Sequence, residues 1–277
     1  MILVTGATGN VGRHVVSGLL RAGERVRAVT RSPARAGLPE GVEVVCGDLA
    51  HPDSFADAFA GVRRMFVFPL AYLRPVVRDL ADVVEATALV KVAAAAGVRR
   101  MVMLGSSDSL FGMEHEVESS GCEWTILRPG EFAVNKLDHW APMIRADGVV
   151  RAANPEACGA PVHEADIAEV AVAALLGDGH TGRRYELTGP ESLTLREQVA
   201  AIAAGIGRPV GFEEVTPAES RAELLTLGLP ADVVDHMFLA HPRGPAPVSR
   251  AYEEVTGRAA RTLTRWATDH AAAFAPT

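Results

Sequence analysis

The chain opens with a short apolar run, Met1 to Thr5, that meets glycine at once in GATGNVG, with Gly6, Gly9 and Gly12 three residues apart. Val11, Val15, Val16, Leu19 and Leu20 then recur at helical spacing, and Gly23 closes the segment. RVRAVTR, from Arg25, reads as a second strand. Strand, glycine turn, helix and strand in that order make one βαβ unit. Each glycine has a mechanical reason: Gly6 permits the tight turn, Gly9 lets backbone approach a pyrophosphate, and Gly12 lets the helix lie close to the strand. The free N–H groups of the helix amino terminus face the phosphates. The spacing predicts a dinucleotide loop made of Gly6, Thr8, Gly9, Asn10, Val11 and Gly12.

The residue after the second strand separates the two nicotinamide cofactors. A carboxylate there binds a ribose 2′-hydroxyl, whereas arginine accommodates a 2′-phosphate. This chain has Arg31, with Arg35 nearby and no carboxylate before Glu40, so NADPH is the expected cofactor.

Further strands follow in GVEVVCGDL, RRMFVFPLA, RRMVMLGSS and CEWTILRPG, separated by helical patterns at 53–60, 78–96 and 109–120. Such alternation predicts an α/β fold, a Rossmann-type doubly wound parallel sheet. A smaller, mostly helical carboxyl-terminal substrate lobe follows, with residues 1–150 as the NAD(P)-binding domain and 151–277 interleaved with the sheet. Ligands in such folds bind beyond the strand carboxyl ends. That adds Asp48, Leu49, Phe68, Pro69, Gly105, Ser106, Pro129 and Gly130 to the expected cofactor contacts.

Composition narrows the function classes. The 277 residues are 48% hydrophobic and 22% charged, as in a soluble globular chain, and a net charge of −7 argues against a nucleic-acid partner. Cys46, Cys122 and Cys158 are widely spaced and lack metal-ligand spacing, so no metal is expected and a reducing compartment is. No signal-peptide pattern and no apolar stretch of roughly 18 residues is present, which predicts a cytoplasmic protein without a membrane partner. A monomer or homodimer acting on a small aromatic molecule is expected. Of the 27 basic residues only Lys91 and Lys136 are lysine.

With VTGATGNVG, GDL, LRPGEF, HEADIAEVAVAAL and YELTGPESLTLREQVAAI at their places, the chain resembles the NmrA-like atypical short-chain dehydrogenase/reductases along nearly its whole length. The resemblance implies a Rossmann domain, a small carboxyl-terminal lobe and a cleft between them. It also implies phosphate-loop roles for Gly6, Gly9 and Gly12, and a 2′-phosphate role for Arg31. Relatives of this kind include quinone and azo-dye reductases, ketoreductases of aromatic-polyketide (antibiotic) biosynthesis, and cofactor-sensing regulators without turnover.

Reduction of an ordinary ketone creates an alkoxide that must be protonated as it forms. The superfamily's usual donor is the tyrosine of Tyr-x-x-x-Lys. Here Tyr72, Tyr185 and Tyr252 are followed four residues on by Val76, Gly189 and Thr256, so the motif is absent. In its slot Phe111 has no hydroxyl and His115 replaces the lysine. Three routes stay open. His115 can act as the acid, since imidazole titrates near neutrality. Ser107 or Asp108 can relay a proton, although Asp108 can equally cap the following helix. Alternatively the substrate absorbs the charge itself, as a quinone does, or a ketone beside a phenol. The absent tyrosine thus points to a planar aromatic or quinonoid acceptor, with an azo or enone compound, or a cofactor sensor, as rivals.

In the carboxyl-terminal half, Phe132, Asn135 and Trp140 enter what reads as an irregular stretch ending near Pro161, with Phe111, Phe132 and Trp140 as candidate substrate contacts. ADIAEVAVAALL and TLREQVAAIAAGIG read as helices and RRYELTG as a strand. Met237, Phe238 and Leu239 form a candidate lid.

Overall fold

A computed structural model of the chain describes residues 1–47, 57–68, 80–105, 113–228, 231, 234–235 and 244–276. The amino-terminal half alternates as expected: β1 (Ile2–Val4), α1 (Gly12–Arg21), β2 (Val26–Thr30), β3 (Glu43–Cys46), β4 (Arg64–Val67), α2 (Leu80–Ala95), β5 (Arg100–Leu104), α3 (Met113–Ser119) and β6 (Glu123–Pro129). Then come α4 (Lys136–His139), α5 (Ala141–Ala146), β7 (Val149–Ala152), β8 (Cys158–Gly159), α6 (Glu164–Leu176) and β9 (Arg183–Leu187). The chain continues through β10 (Leu193–Thr194), α7 (Leu195–Ile206), β11 (Gly211–Glu214), α8 (Pro217–Thr226), α9 (Ala251–Thr256) and α10 (Leu263–Asp269).

Two compact units result. The first comprises Met1–Pro129, Glu164–Leu187 and Glu254–Gly257; the second comprises Gly130–His163, Thr188–Glu253 and Arg258–Thr277. The division therefore falls where β6 ends, not at residue 150, because α6 and β9 return to the sheet. RRYELTG does form a strand, and it pairs in parallel with β6.

The first unit is a seven-stranded parallel sheet in the order β3-β2-β1-β4-β5-β6-β9. Its core strands are buried on both faces, which is why they read as continuous apolar runs. Strand order reverses at β1, which pairs with β2 on one side and β4 on the other. The crevice at such a switch point is where doubly wound sheets bind ligands. On α1, Val15, Val16 and Leu19 are fully buried. Each contributes about 1.5–3 kcal/mol by leaving water.

Of the pattern at 53–60, residues 53–56 lie outside the described residues and Asp57–Phe59 form a single 3-10 turn. Sequence and structure differ in two places. The third strand is shorter than GVEVVCGDL. The stretch from Phe132 to Pro161 is not irregular: it holds a 3-10 turn, α4, α5, β7 and β8. Helices of four and six residues complete too few turns to show a period.

In the second unit β7 pairs in parallel with β11, and β8 antiparallel with β10. Trp266, Phe274, Ile144 and Ile202 anchor its core.

Candidate functional site

At the carboxyl end of β1 the chain turns sharply through Gly6, whose φ of 61° lies in the left-handed region that glycine tolerates. Gly9 donates its N–H to the Gly6 carbonyl at 2.9 Å. A Cβ on Gly12 would run into that same carbonyl, so only glycine lets α1 start this close to the strand. Thr5 braces the turn: its hydroxyl donates to Phe66 O at 3.2 Å and accepts from the Phe68 N–H at 2.8 Å.

The first turn of α1 has no side-chain cap and no acidic residue. Thr8 and Asn10 are exposed, whereas Val11 and Gly12 are buried. An uncapped, acid-free helix start beside a turn too tight for side chains fits a dinucleotide pyrophosphate. Arg31 is exposed one residue past β2, and neither it nor Arg35 forms an ion pair with a described residue. Both guanidinium groups are thus available to a 2′-phosphate.

Gly105 follows β5, buried, and donates its N–H to Leu127 O at 2.8 Å. Pro129 is the buried last residue of β6, and Gly130 after it is exposed. Asp48, Leu49, Pro69 and Ser106 lie outside the described residues, as do Ser107, Asp108, Phe111 and the candidate lid at 237–239.

His115 is on α3 with its side chain in solvent. The residue before it turns inward. Glu114 receives Arg128 Nε at 3.0 Å and Nη2 at 2.5 Å, and its carboxylate lies against Gly105, where a Cβ would meet Glu114 Oε1 at 2.9 Å. This hydrogen-bonded carboxylate raises the Arg128 guanidinium above its ordinary range. Lys91 pairs with Glu116 at 3.4 Å and Arg184 with Glu118, so His115 stands on a helix face of ion pairs.

The second unit contains a pocket of about 130 Å³ lined by Glu131, Lys136, His139, Trp140, Arg151 and Asn154, among others. Lys136 is only 4% exposed. Its Nζ donates to Glu131 Oε1 at 2.6 Å and sits 4.1 Å from the Trp140 ring centroid. Glu131 fits because Gly159 offers no Cβ; one there would collide with its carboxylate. Arg151 meets Asp147 at 2.5 Å, Glu213 at 3.0 Å and Glu223 at 3.6 Å. The Asp147 hydrogen bond raises the Arg151 guanidinium and in return holds the Asp147 carboxyl below the usual carboxylate range. Asn154 has a φ of 56°, a left-handed conformation that asparagine tolerates better than most residues.

Trp140 lines this pocket. Phe132 is not among its lining residues; its backbone bridges to Val162 instead. Sequence reasoning passed over Glu131 and Lys136. The trace they leave is two opposite charges in the mostly apolar EFAVNKL, one of them a rare lysine.

A family of NAD(P)H-binding proteins matches residues 6–178. The chain is 40% identical to a (4-alkanoyl-5-oxo-2,5-dihydrofuran-3-yl)methyl phosphate reductase of Streptomyces griseus, with 100% of both chains covered. It is 36% identical to an NAD(P)H azoreductase of Xenophilus azovorans, over 99% of each chain. The structure resembles that of an NADPH-dependent quinone oxidoreductase from Escherichia coli complexed with NADPH, with a TM-score of 0.81, 25% identity, and 98% and 99% of the two chains covered. Glycine turn, sheet order and relatives agree: this chain belongs to the NAD(P)H-binding family and is an NAD(P)H-dependent oxidoreductase.

Proposed function

We propose that the protein is an NADPH-dependent reductase of conjugated acceptors, with quinones, aryl ketones and enones as the substrate class. The carrying observation is the missing phenolic acid. No Tyr-x-x-x-Lys occurs in the sequence. Of the described tyrosines, Tyr185, on β9, has its hydroxyl 2.8 Å from His180 Nδ1, and Tyr252 is buried in the second unit. His115, in the lysine's slot, faces solvent.

When bound, NADPH supplies a hydride. Without a strong acid beside it, the acceptor must spread the incoming charge itself. A quinone does so over its ring, an enone over carbon and oxygen, and an aryl ketone beside a phenol takes the phenol's proton. The relatives' names support this class: an acyl-dihydrofuranone, an azo compound and a quinone are all conjugated and electron-poor. Arg31 supports NADPH over NADH, since it stands in solvent where a 2′-phosphate would be met.

The test follows NADPH oxidation with duroquinone, a 3-acyl-butenolide, an azo dye, an aromatic hydroxyketone and an aliphatic ketone, with NADH as control. Conjugated acceptors should be reduced and the aliphatic ketone left. Equal turnover of the aliphatic ketone removes the proposal. Cofactor binding without turnover of any acceptor would mark a sensor instead.

A further inference from the structure

Two helices of the first unit start at the same rim of its sheet. Arg13, in the first turn of α1, places Nη2 3.7 Å from Oε1 of Glu164, the first residue of α6. Farther along, Gly18 packs on Val172, where a Cβ would come within 2.9 Å of Val172 Cγ2. Residue numbers rise together across these contacts, so α1 and α6 run parallel. The sheet requires the same. α1 returns from the carboxyl end of β1, and α6 leads into β9, which runs in the same direction as β1 through β4, β5 and β6. Both helix amino termini therefore lie at the carboxyl rim of the sheet, where the Gly6–Gly12 turn is.

The two starts carry opposite charges. The first turn of α6 holds Glu164 and Asp166, both buried, so the positive end of its dipole is answered within the protein. The first turn of α1 has no acidic residue and contains Arg13 instead. An arginine there is unfavourable for the helix by itself, because a cation meets the positive end of the dipole. Glu164 offsets part of that cost, yet the contact is too long for a hydrogen bond and the Arg13 side chain is 48% exposed. Helical side chains lean toward the amino terminus, so this half-exposed guanidinium leans toward the glycine turn. A cation in a place the helix disfavours is explained by an anion bound at that helix start.

We propose that Arg13 is a ligand of the cofactor's pyrophosphate, outside the glycine motif itself. The inference rests on the glycine turn as the dinucleotide site. That turn supplies N–H dipoles and no formal charge. Arg13 adds a full positive charge beside two anionic phosphates, and it offsets the buried Glu164 carboxylate that would otherwise repel them. The two arginines then have separate tasks. Arg13 meets the pyrophosphate that both nicotinamide cofactors share, and Arg31 meets the 2′-phosphate that only NADPH carries.

Dissociation constants test this, measured by the fluorescence of the reduced cofactors and, for other ligands, by competition with NADPH. Arg13→Met removes a counter-charge from buried Glu164 and can destabilise the fold. It is therefore paired with the double substitution Arg13→Met, Glu164→Gln, which removes both charges and leaves the net charge unchanged. In either folded variant Kd should rise about tenfold, the loss of one hydrogen bond to a charged group. The factor should be the same for NADPH and NADH. 2′-AMP, which has the 2′-phosphate without the pyrophosphate, should bind as it does to the wild type.

A rise of less than about threefold for both cofactors in the double variant overturns the proposal. So does a loss confined to NADPH, which would make Arg13 a second 2′-phosphate contact. An equal loss for 2′-AMP also overturns it, by marking a general effect on the fold. Wild-type protein that binds neither cofactor would instead sink the dinucleotide reading of the turn, which keeps the two failures apart.

Discussion

We propose that Arg31 carries the cofactor choice on one side chain. It stands in solvent directly after β2, with no described ion pair to hold it elsewhere. A guanidinium–phosphate hydrogen bond contributes about 1.5–3 kcal/mol, so Arg31→Asp should raise KM for NADPH by roughly 10- to 100-fold. The same change should lower KM for NADH by offering its ribose hydroxyl an acceptor. Steady-state kinetics with both cofactors decides it: an unchanged NADPH to NADH ratio would leave Arg31 a solvated surface charge. Glycine acts at this scale by absence. Gly12 makes room for the Gly6 carbonyl, and Gly159 makes room for the Glu131 carboxylate. The first was visible in the sequence because the partners are six residues apart; the second was not, because Glu131 and Gly159 meet only across the fold.

Two helix starts, TLRE at α7 and TPAE at α8, close capping boxes. Thr194 Oγ1 accepts from Glu197 N at 3.1 Å while the Glu197 carboxylate accepts from Thr194 N at 2.8 Å, and Thr216 and Glu219 repeat this at 3.3 and 2.8 Å. Hydrogen bonds from Thr194 and Thr216 hold the two carboxyls below the ordinary glutamate range. A carboxyl depressed in the folded state contributes stability above its unfolded pKa and loses it as pH falls through the folded one. The melting temperature should therefore drop as pH goes below about 4, and Glu197→Gln with Glu219→Gln should flatten that slope. Thr194→Ala should cost about 1 kcal/mol at neutral pH in denaturant titration. By contrast α4 and α5 left no mark in the sequence, and β11 was hidden because half-exposed GFEE lacks the apolar run of a buried strand.

At the scale of the molecule, the two units are threaded through one another in sequence. The chain passes between them at Pro129–Gly130, His163–Glu164, Leu187–Thr188, Glu253–Glu254 and Gly257–Arg258. α6 and β9 return to complete the first unit, so neither unit is a continuous stretch that could be cut free. Nicotinamide binding should stabilise the folded chain by mass action. At about 100 times its Kd, NADPH adds about 2.7 kcal/mol. For a chain of this size that is a rise of roughly 5–10 °C in Tm by thermal shift. NADH at the same concentration should give less, and Arg31→Asp should reverse the order.

Sequence alone determined the βαβ opening, the parallel sheet, the tight glycine turn and the missing Tyr-x-x-x-Lys. Each is local, written in residues a few positions apart whose geometry any backbone would impose. Tertiary structure alone decided that His115 faces solvent, that Glu114 turns inward to Arg128, and that Glu131, Lys136, Trp140, Arg151 and Asn154 share one pocket. Those outcomes depend on which way short helices are rotated and on pairings such as β7 with β11, whose partners lie some sixty residues apart. Periodicity carries no information at that range, because the packing of the whole unit fixes it.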